Sequence, residues 1–261
     1  MIGIGATLFK RAVMGSRGFS PSALFANGEE GGWYDPSKLS SMKQNSDGTV
    51  DAVVDSPVGY IEDQSGNGNT AIQATSDKRP TLRQAGSLYY LEFDGANDCL
   101  ATSAIDFTGG DQMSVFAGAA KTASANQVVA ELSSSISSNN GSFRLFGSST
   151  IWRYSSKGTS IVNGTASDYG IPSTSVLSAT SDISADQLTF NVDGVQEANP
   201  TSDQGTGNYG NFAINIGSRN NGASLPLTGN IYGLVVRNVV SSADEIASME
   251  SYMATKSGVT L

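Results

Sequence analysis

The chain has 261 residues, 30 of them glycine, with 15% charged residues and a formal net charge of −9. That length admits one large all-β domain of ~200–250 residues, and the glycine content describes short strands joined by many turns. The acidic balance excludes nucleic acid as a partner, since phosphate binding needs a basic face, and the lack of any histidine removes the commonest general base and metal ligand together.

In chain order, residues 1–28 stand apart. They hold Lys10, Arg11 and Arg17 and no acid, which leaves 12 basic against 24 acidic residues in the remainder. Ile2, Ile4, Leu8, Phe9, Val13 and Phe19 lie among Gly3, Gly5, Gly15 and Gly18. The segment is too glycine-rich for a helix and too apolar for a solvated linker. Two readings stay open: a first strand with a mobile start, or an arm ordered against another subunit. No continuous apolar core precedes a cleavage site, so no secretory signal is expected. No run in the chain approaches the ~18 apolar residues of a membrane span.

Trp33-Tyr34 is either a sugar-stacking platform or packing, and Asp35-Pro36 begins a turn. Val58 to Ile61 reads as a short strand. The turn Asp63-Gln64-Ser65-Gly66-Asn67-Gly68-Asn69 fits an Asx turn, with calcium as the alternative because hard cations take oxygen ligands. Counting Asp63 as the first position of a calcium loop, the closing glutamate is replaced by Ala74.

Leu91 and Phe93 alternate with Glu92 and Asp94 as in a half-buried strand. Asp94-Gly95 turns the chain, and Asp98 is placed to bond backbone N–H groups in the corner. Asp94, Gly95 and Asp98 are therefore expected to form a structural turn. Cys99, the single cysteine, can form no intrachain disulfide and reads as buried apolar filler. Strands follow at Met113 to Ala120, Gln127 to Leu132, Ser142 to Phe146 with Ile151 to Tyr154, Phe212 to Gly217, and Ile231 to Val236. Asp193-Gly194 marks a hairpin after Leu188 to Val192. From Ser242 the period becomes helical, with acids in the first turn and Gly258 as the stop. The result is about a dozen strands and one terminal helix.

Leu91-Glu92-Phe93-Asp94-Gly95 with Asp98 resembles the "FDG-x-x-D" signature of concanavalin A-like jelly rolls, in the laminin-G-like branch. The Asp63 turn is similar to the "D-x-SGNGN" turn before it. Asn191-Val192-Asp193-Gly194-Val195 is similar to that branch's "VDG" hairpin, and Leu227-Thr228-Gly229-Asn230-Ile231 to its "F-x-G-x-I" strand. The end of the chain, with Tyr252 and Lys256, resembles "Y-x-x-x-K-x-G". Cys99 and Leu227 depart from it, standing where aromatics are common. Trp33-Tyr34-Asp35-Pro36-Ser37 behind a short leader resembles laminin-G-like proteins encoded among virion genes of tailed bacteriophages and prophages.

The resemblance implies an all-β, concanavalin A-like jelly-roll sandwich over 31–261, with an N-terminal arm over 1–30 and a short C-terminal helix. It implies a virion structural protein assembled in the host cytoplasm: a tail fibre, spike or tip component with a possible glycan or host-surface role, a head decoration protein, or instead a free lectin-like module. The arm, through Ile4, Leu8, Phe9, Lys10, Arg11, Arg17 and Phe19, is expected to attach to other virion proteins and to favour a homo-oligomer, a trimer on appendage analogy. Membrane insertion is not expected. Glucanases share this fold and carry Glu-x-Asp-x-x-Glu or Glu-x-Asp-x-Glu, because retaining chemistry needs two carboxyls ~5–5.5 Å apart. Here Glu92-Phe93-Asp94 is followed by Gly95, Ala96 and Asn97, so the third carboxylate is missing. The chain is read as non-enzymatic and without a cofactor.

Overall fold

Alternation of inward and outward side chains folds most of this sequence into antiparallel strands. In the computed structural model, which describes residues 18–261, these strands form two facing sheets. The first, of eight strands, runs in spatial order Val195–Ala198, Gln187–Val192, Ser173–Asp182, Gln112–Lys121, Thr228–Arg237, Leu88–Asp94, Thr81–Ala85. Its eighth strand, Gly31–Tyr34, pairs with the far half of Thr228–Arg237. The second, of nine strands, runs Ile161–Ala166, Ile151–Lys157, Ser142–Ser148, Gln127–Leu132, Asn211–Ile216, Leu100–Asp106, Ala71–Ile72, Tyr60–Ile61, Met42–Lys43. This is the all-β, jelly-roll-type sandwich with a short C-terminal helix that the resemblance implies.

The main core lies between the sheets. Leu91, Phe93, Val115 and Leu234 enter it from one side, Leu132, Phe143, Leu145 and Trp152 from the other. Strand Ser173–Asp182 supplies serines as well as apolar groups, and Ser181 joins a buried hydroxyl chain: Tyr154 to Ser181 at 2.9 Å, Ser181 to Tyr209 at 2.7 Å, and Tyr209 to Ser156 at 2.7 Å.

A second cluster sits outside the eight-stranded sheet. Helix Ala243–Ser257 opens with a capping box between Ser242 and Glu245 and ends on Gly258 in the left-handed region. Met249 and Met253 press Phe116, Val176, Val235 and Trp33 onto the sheet. Leu24 and Phe25, from the 3-10 turn Pro21–Phe25, fill the same cluster. Of the arm residues named above, Ile4, Leu8, Phe9, Lys10, Arg11 and Arg17 lie outside the described residues. Phe19 meets Tyr252 edge-on, with ring centroids 6.5 Å apart. From Phe19 onward the leader is thus packed on its own sandwich.

Candidate functional site

The corner after Leu88–Asp94 is built as a hydrogen-bonded turn. Asp94 Oδ1 accepts the Ala96 N–H at 2.8 Å, and Asp98 Oδ2 accepts the Asp94 N–H at 3.0 Å. Gly95 has φ +80°, and a Cβ there would run into Thr228 Oγ1. Burial pushes the Asp98 carboxyl up to about 6; the Asp94 N–H opposes this, and the Asp94 and Glu92 charges add to it. Glu92 faces outward and is held by Arg83 at 2.6 Å, which also holds Asp55 at 2.6 Å. The two carboxylates of the incomplete glucanase pattern are therefore engaged in an ion pair and a turn. Cys99 is buried, and burial pushes its thiol up.

The Asp63 turn clamps the first strand. Asp63 Oδ1 accepts the Trp33 and Ser65 N–H groups, and Oδ2 accepts Ser65 Oγ–H and the Asn69 N–H, at 2.7–3.0 Å. Asn67 and Asn69 turn their NH2 groups to the Gly31 carbonyl. Protein donors fill the positions a calcium ion would take, so the turn does not fit that ion. Among the described residues no group of three His, Cys, Asp or Glu side chains is placed to hold a metal.

Trp33 and Tyr34 are both buried, as packing rather than a platform. Asp35 next to them is fully buried and joins the helix: Tyr252 Oη–H donates to its Oδ2 at 2.6 Å, and Lys256 Nζ lies 3.0 Å away. Burial works to raise this carboxyl, but Tyr252, Lys256 and Ser37 together hold it below its ordinary value.

On the outer face of the nine-stranded sheet Ser155, Glu131 and Asn215 are buried beneath bordering loops, while Asn163 is exposed and Arg144 and Arg153 are half-buried. Pairing register sets a row across it from Asn163 through Ser155, Arg144, Glu131 and Asn215 to Ala101. Phe143 and Leu145 enter the core, so Arg144 between them points out. Arg153 stands opposite Phe146 and Thr165 and is the diagonal neighbour of Arg144. Diagonal pairs of this kind lie roughly 7–8 Å apart. Arg219, from the loop after Asn211–Ile216, grips Glu131 with two bonds of 2.9 and 3.0 Å. Glu131 is fully buried beneath it and also accepts the Ile136 N–H at 2.7 Å.

Arg144 is held differently from Lys121 and Lys157. Lys121 Nζ is surrounded by four carbonyls, of Ser148, Ser149, Ile151 and Tyr169, at 2.7–3.3 Å. Lys157 Nζ donates to the carbonyls of Ile136 and Ser137. Arg144 lies over the Phe146 ring at 4.7 Å, and its Nε is buried with no hydrogen-bond partner among the described residues. A donor left unmade in this way costs ~1–3 kcal/mol. Burial pulls the guanidinium below its usual range; Glu131 opposes this, and Arg219 and Arg153 add to it.

The loops that border this face are conformationally strained. Ser133, Asn220, Asn221 and Leu225 all have φ between 50° and 85°, and non-glycine residues there cost about 1–3 kcal/mol each. Hydrogen bonds hold the second loop: Asn221 N–H to Asn215 Oδ1 at 2.9 Å, and Gln73 Nε2 to Asn221 Oδ1 at 2.8 Å. Arg219 is thus presented from a fixed support. None of Arg144, Arg153, Arg219 and Glu131 stands out in the sequence as a site; the available signal is an arginine at an outward position in each strand of one hairpin.

A concavity of about 540 Å³ lies where the helix crosses strands Ser173–Asp182 and Gln187–Val192. Its polar lining includes Gln112, Thr180, Asp182, Thr189, Asn191 and Glu250. Glu250 is occupied within it by Ser178 and Asn191.

No protein-family model matches the sequence, and no curated protein is similar to it. Solved structures do match. The sialidase of Trypanosoma rangeli, in complex with sialic acid, matches at 11% identity and a TM-score of 0.58, over 91% of this chain and 35% of that one. The binding domain of botulinum neurotoxin serotype G matches at 11% identity and 0.56, over 75% of this chain and 49% of that one. The CBM40 of the Ruminococcus gnavus IT-sialidase, bound to α2,3-sialyllactose, matches at 15% identity and 0.44, over 54% and 83%. The chain spans about half or less of the first two proteins, and at 11% identity what it shares with them is the β-sandwich fold.

Proposed function

We propose that this chain is a non-enzymatic recognition domain that binds glycan on the outer face of its nine-stranded sheet. The observation that carries this reading is the accessible group Asn163, Arg144 and Arg153 on that face, with the Arg144 Nε unpartnered among the described residues. Polar side chains in register on a rigid sheet present fixed donors and acceptors, as carbohydrate hydroxyls require. Fold likeness alone assigns no ligand. Lack of catalysis is supported by the engaged state of Glu92 and Asp94 and by a sequence without histidine.

The sequence resemblance to laminin-G-like virion proteins supports a place on a phage particle, and the preference for a tail appendage over the head rests on fold-level analogy alone. Residues 1–17, basic and free of acids, would attach the domain to the acidic surface of virion partners or of sister copies. A glycan array probed with the purified chain tests the binding reading. Selective binding that survives deletion of residues 1–17 is expected, with no release of reducing ends from laminarin, host lipopolysaccharide or capsule. An array without binding, or turnover that disappears in Glu92→Gln, would overturn it. For attachment, the same deletion is expected to abolish incorporation into particles.

A further inference from the structure

We infer that Arg144, Arg153 and Arg219 form an oxyanion-binding site, and that its ligand is a carboxylate or phosphate group carried on an acidic glycan. This rests on the glycan-binding reading above and names the ligand class for the same face. Arg219 grips Glu131, Arg144 stands opposite Glu131 in register, and Arg153 is diagonal to Arg144, in a chain whose net charge is −9. Arg219 is neutralised by its two-point grip on Glu131. Arg153 commits Nε to Thr165 Oγ1 at 3.0 Å. Arg144 commits nothing, and its Nε is an orphan among the described residues. Residues 1–17 contain no acid that could neutralise it.

Such an arrangement is costly without a ligand and is relieved by one. A planar guanidinium matches a carboxylate or phosphate through paired N–H bonds, and these charge-assisted bonds are about twice as strong as neutral ones. Arg219 already shows that geometry on Glu131 within the same cluster. The Phe146 ring beneath Arg144 fixes the plane of its fork, and the hydrogen-bonded loop fixes Arg219. A neutral sugar could use Asn163 and Thr165, but it would leave the Arg144 charge unanswered.

Calorimetric titration of the full chain tests the assignment with three probes: tetragalacturonate, its fully methyl-esterified form, and a glycerol-phosphate oligomer. The first two share a sugar skeleton and differ in charge; the third separates phosphate from carboxylate. At least one acidic probe should bind, at least tenfold more tightly than the ester, with affinity that falls as salt rises. Arg144→Gln and Arg153→Gln should each weaken that binding about tenfold or more while leaving the melting temperature within a few degrees. Equal binding of acid and ester, or acid binding untouched by both variants, overturns the anion site and leaves glycan binding standing. If no probe binds and the glycan array is also blank, both readings fall. If the array shows only neutral ligands, the anion site alone falls.

Discussion

The outer face of the eight-stranded sheet is packed by a helix over an apolar cluster, whereas the outer face of the nine-stranded sheet carries polar and charged groups bordered by loops. On the first, helix Ala243–Ser257 and the turn Pro21–Phe25 bury Trp33, Phe116, Val176 and Val235. On the second, loops bury Glu131 and Asn215, and Asn163, Arg144 and Arg153 stay accessible beside them. The apolar side chains on the covered face need a lid to leave water, and the sequence provides one at each end of the chain. The other face instead keeps Arg144, whose Nε no group among the described residues satisfies; on the reading proposed above, that face serves recognition while the first serves stability.

The largest expected effect tests the lid. Removing residues 1–28 takes away Leu24, 1% exposed, and Phe25, 8% exposed. Each such side chain contributes ~1.5–3 kcal/mol by burial, so this truncation should lose roughly 3–6 kcal/mol in urea unfolding. Removing residues 1–17 only should cost little, because the Leu24 and Phe25 packing stays in place. Equal stability of the two truncated chains would show that the turn is no part of the lid.

Next comes the bolt that holds the helix. Asp35→Asn leaves Lys256 without its counter-charge; since Lys256 is partly exposed, the loss should be about 2–3 kcal/mol, below the usual range for a buried pair. The pH dependence has a definite sign. The Asp35 carboxyl is held below its ordinary value when folded, so its contribution is present above the unfolded pKa, about 4. It is lost as pH falls through the lower folded value. The variant should lack that part of the acid limb, and an acid limb identical to that of the parent chain would exclude the bolt.

Much of this architecture was legible in the sequence. Leu91 and Phe93 do enter the core, Glu92 does face away, Asp193-Gly194 does turn the hairpin, and the helix does run from its Ser242 cap to Gly258. Strand Ser173–Asp182 was not expected, because its buried positions include Ser175, Ser178 and Ser181, whose hydroxyls find partners in the core or on Glu250. Satisfied serines hide the hydrophobic period. The motifs around Trp33 and Tyr252 were noticed separately; only the fold joins them, through Asp35. The arginine cluster was less legible still. Arg144 and Arg153 share a hairpin, but Glu131 and Arg219 reach them through strand order, with Asn211–Ile216 seated beside Gln127–Leu132. No local pattern encodes that neighbour.

A smaller effect, of opposite sign, is expected at the corner. Asp98 is raised to about 6 when folded, so the folded chain holds that proton more tightly than the unfolded one. Its contribution falls as pH rises from about 4 to about 6. Asp98→Asn keeps an acceptor for the Asp94 N–H and removes the buried charge. It should raise stability at pH 7 by on the order of 1 kcal/mol and flatten the curve between those two pH values. A loss of stability at pH 7 would mean that the ionised carboxylate supports the turn.

The smallest effect belongs to the outer face of the nine-stranded sheet. Arg144→Met keeps a long side chain over Phe146 and removes a charge whose Nε has no partner among the described residues. If Arg144 were structural, as Lys121 is among its four carbonyls, its loss would leave acceptors stranded and cost at least ~1–3 kcal/mol. It strands none, so stability in urea should stay within ~0.5 kcal/mol or rise slightly. The matching change Lys121→Met should destabilise by several times as much, because the carbonyls of Ser148, Ser149, Ile151 and Tyr169 would lose the ammonium they enclose. Comparable losses in the two variants would erase the distinction between a cation that holds the fold together and one that the fold holds out to a ligand.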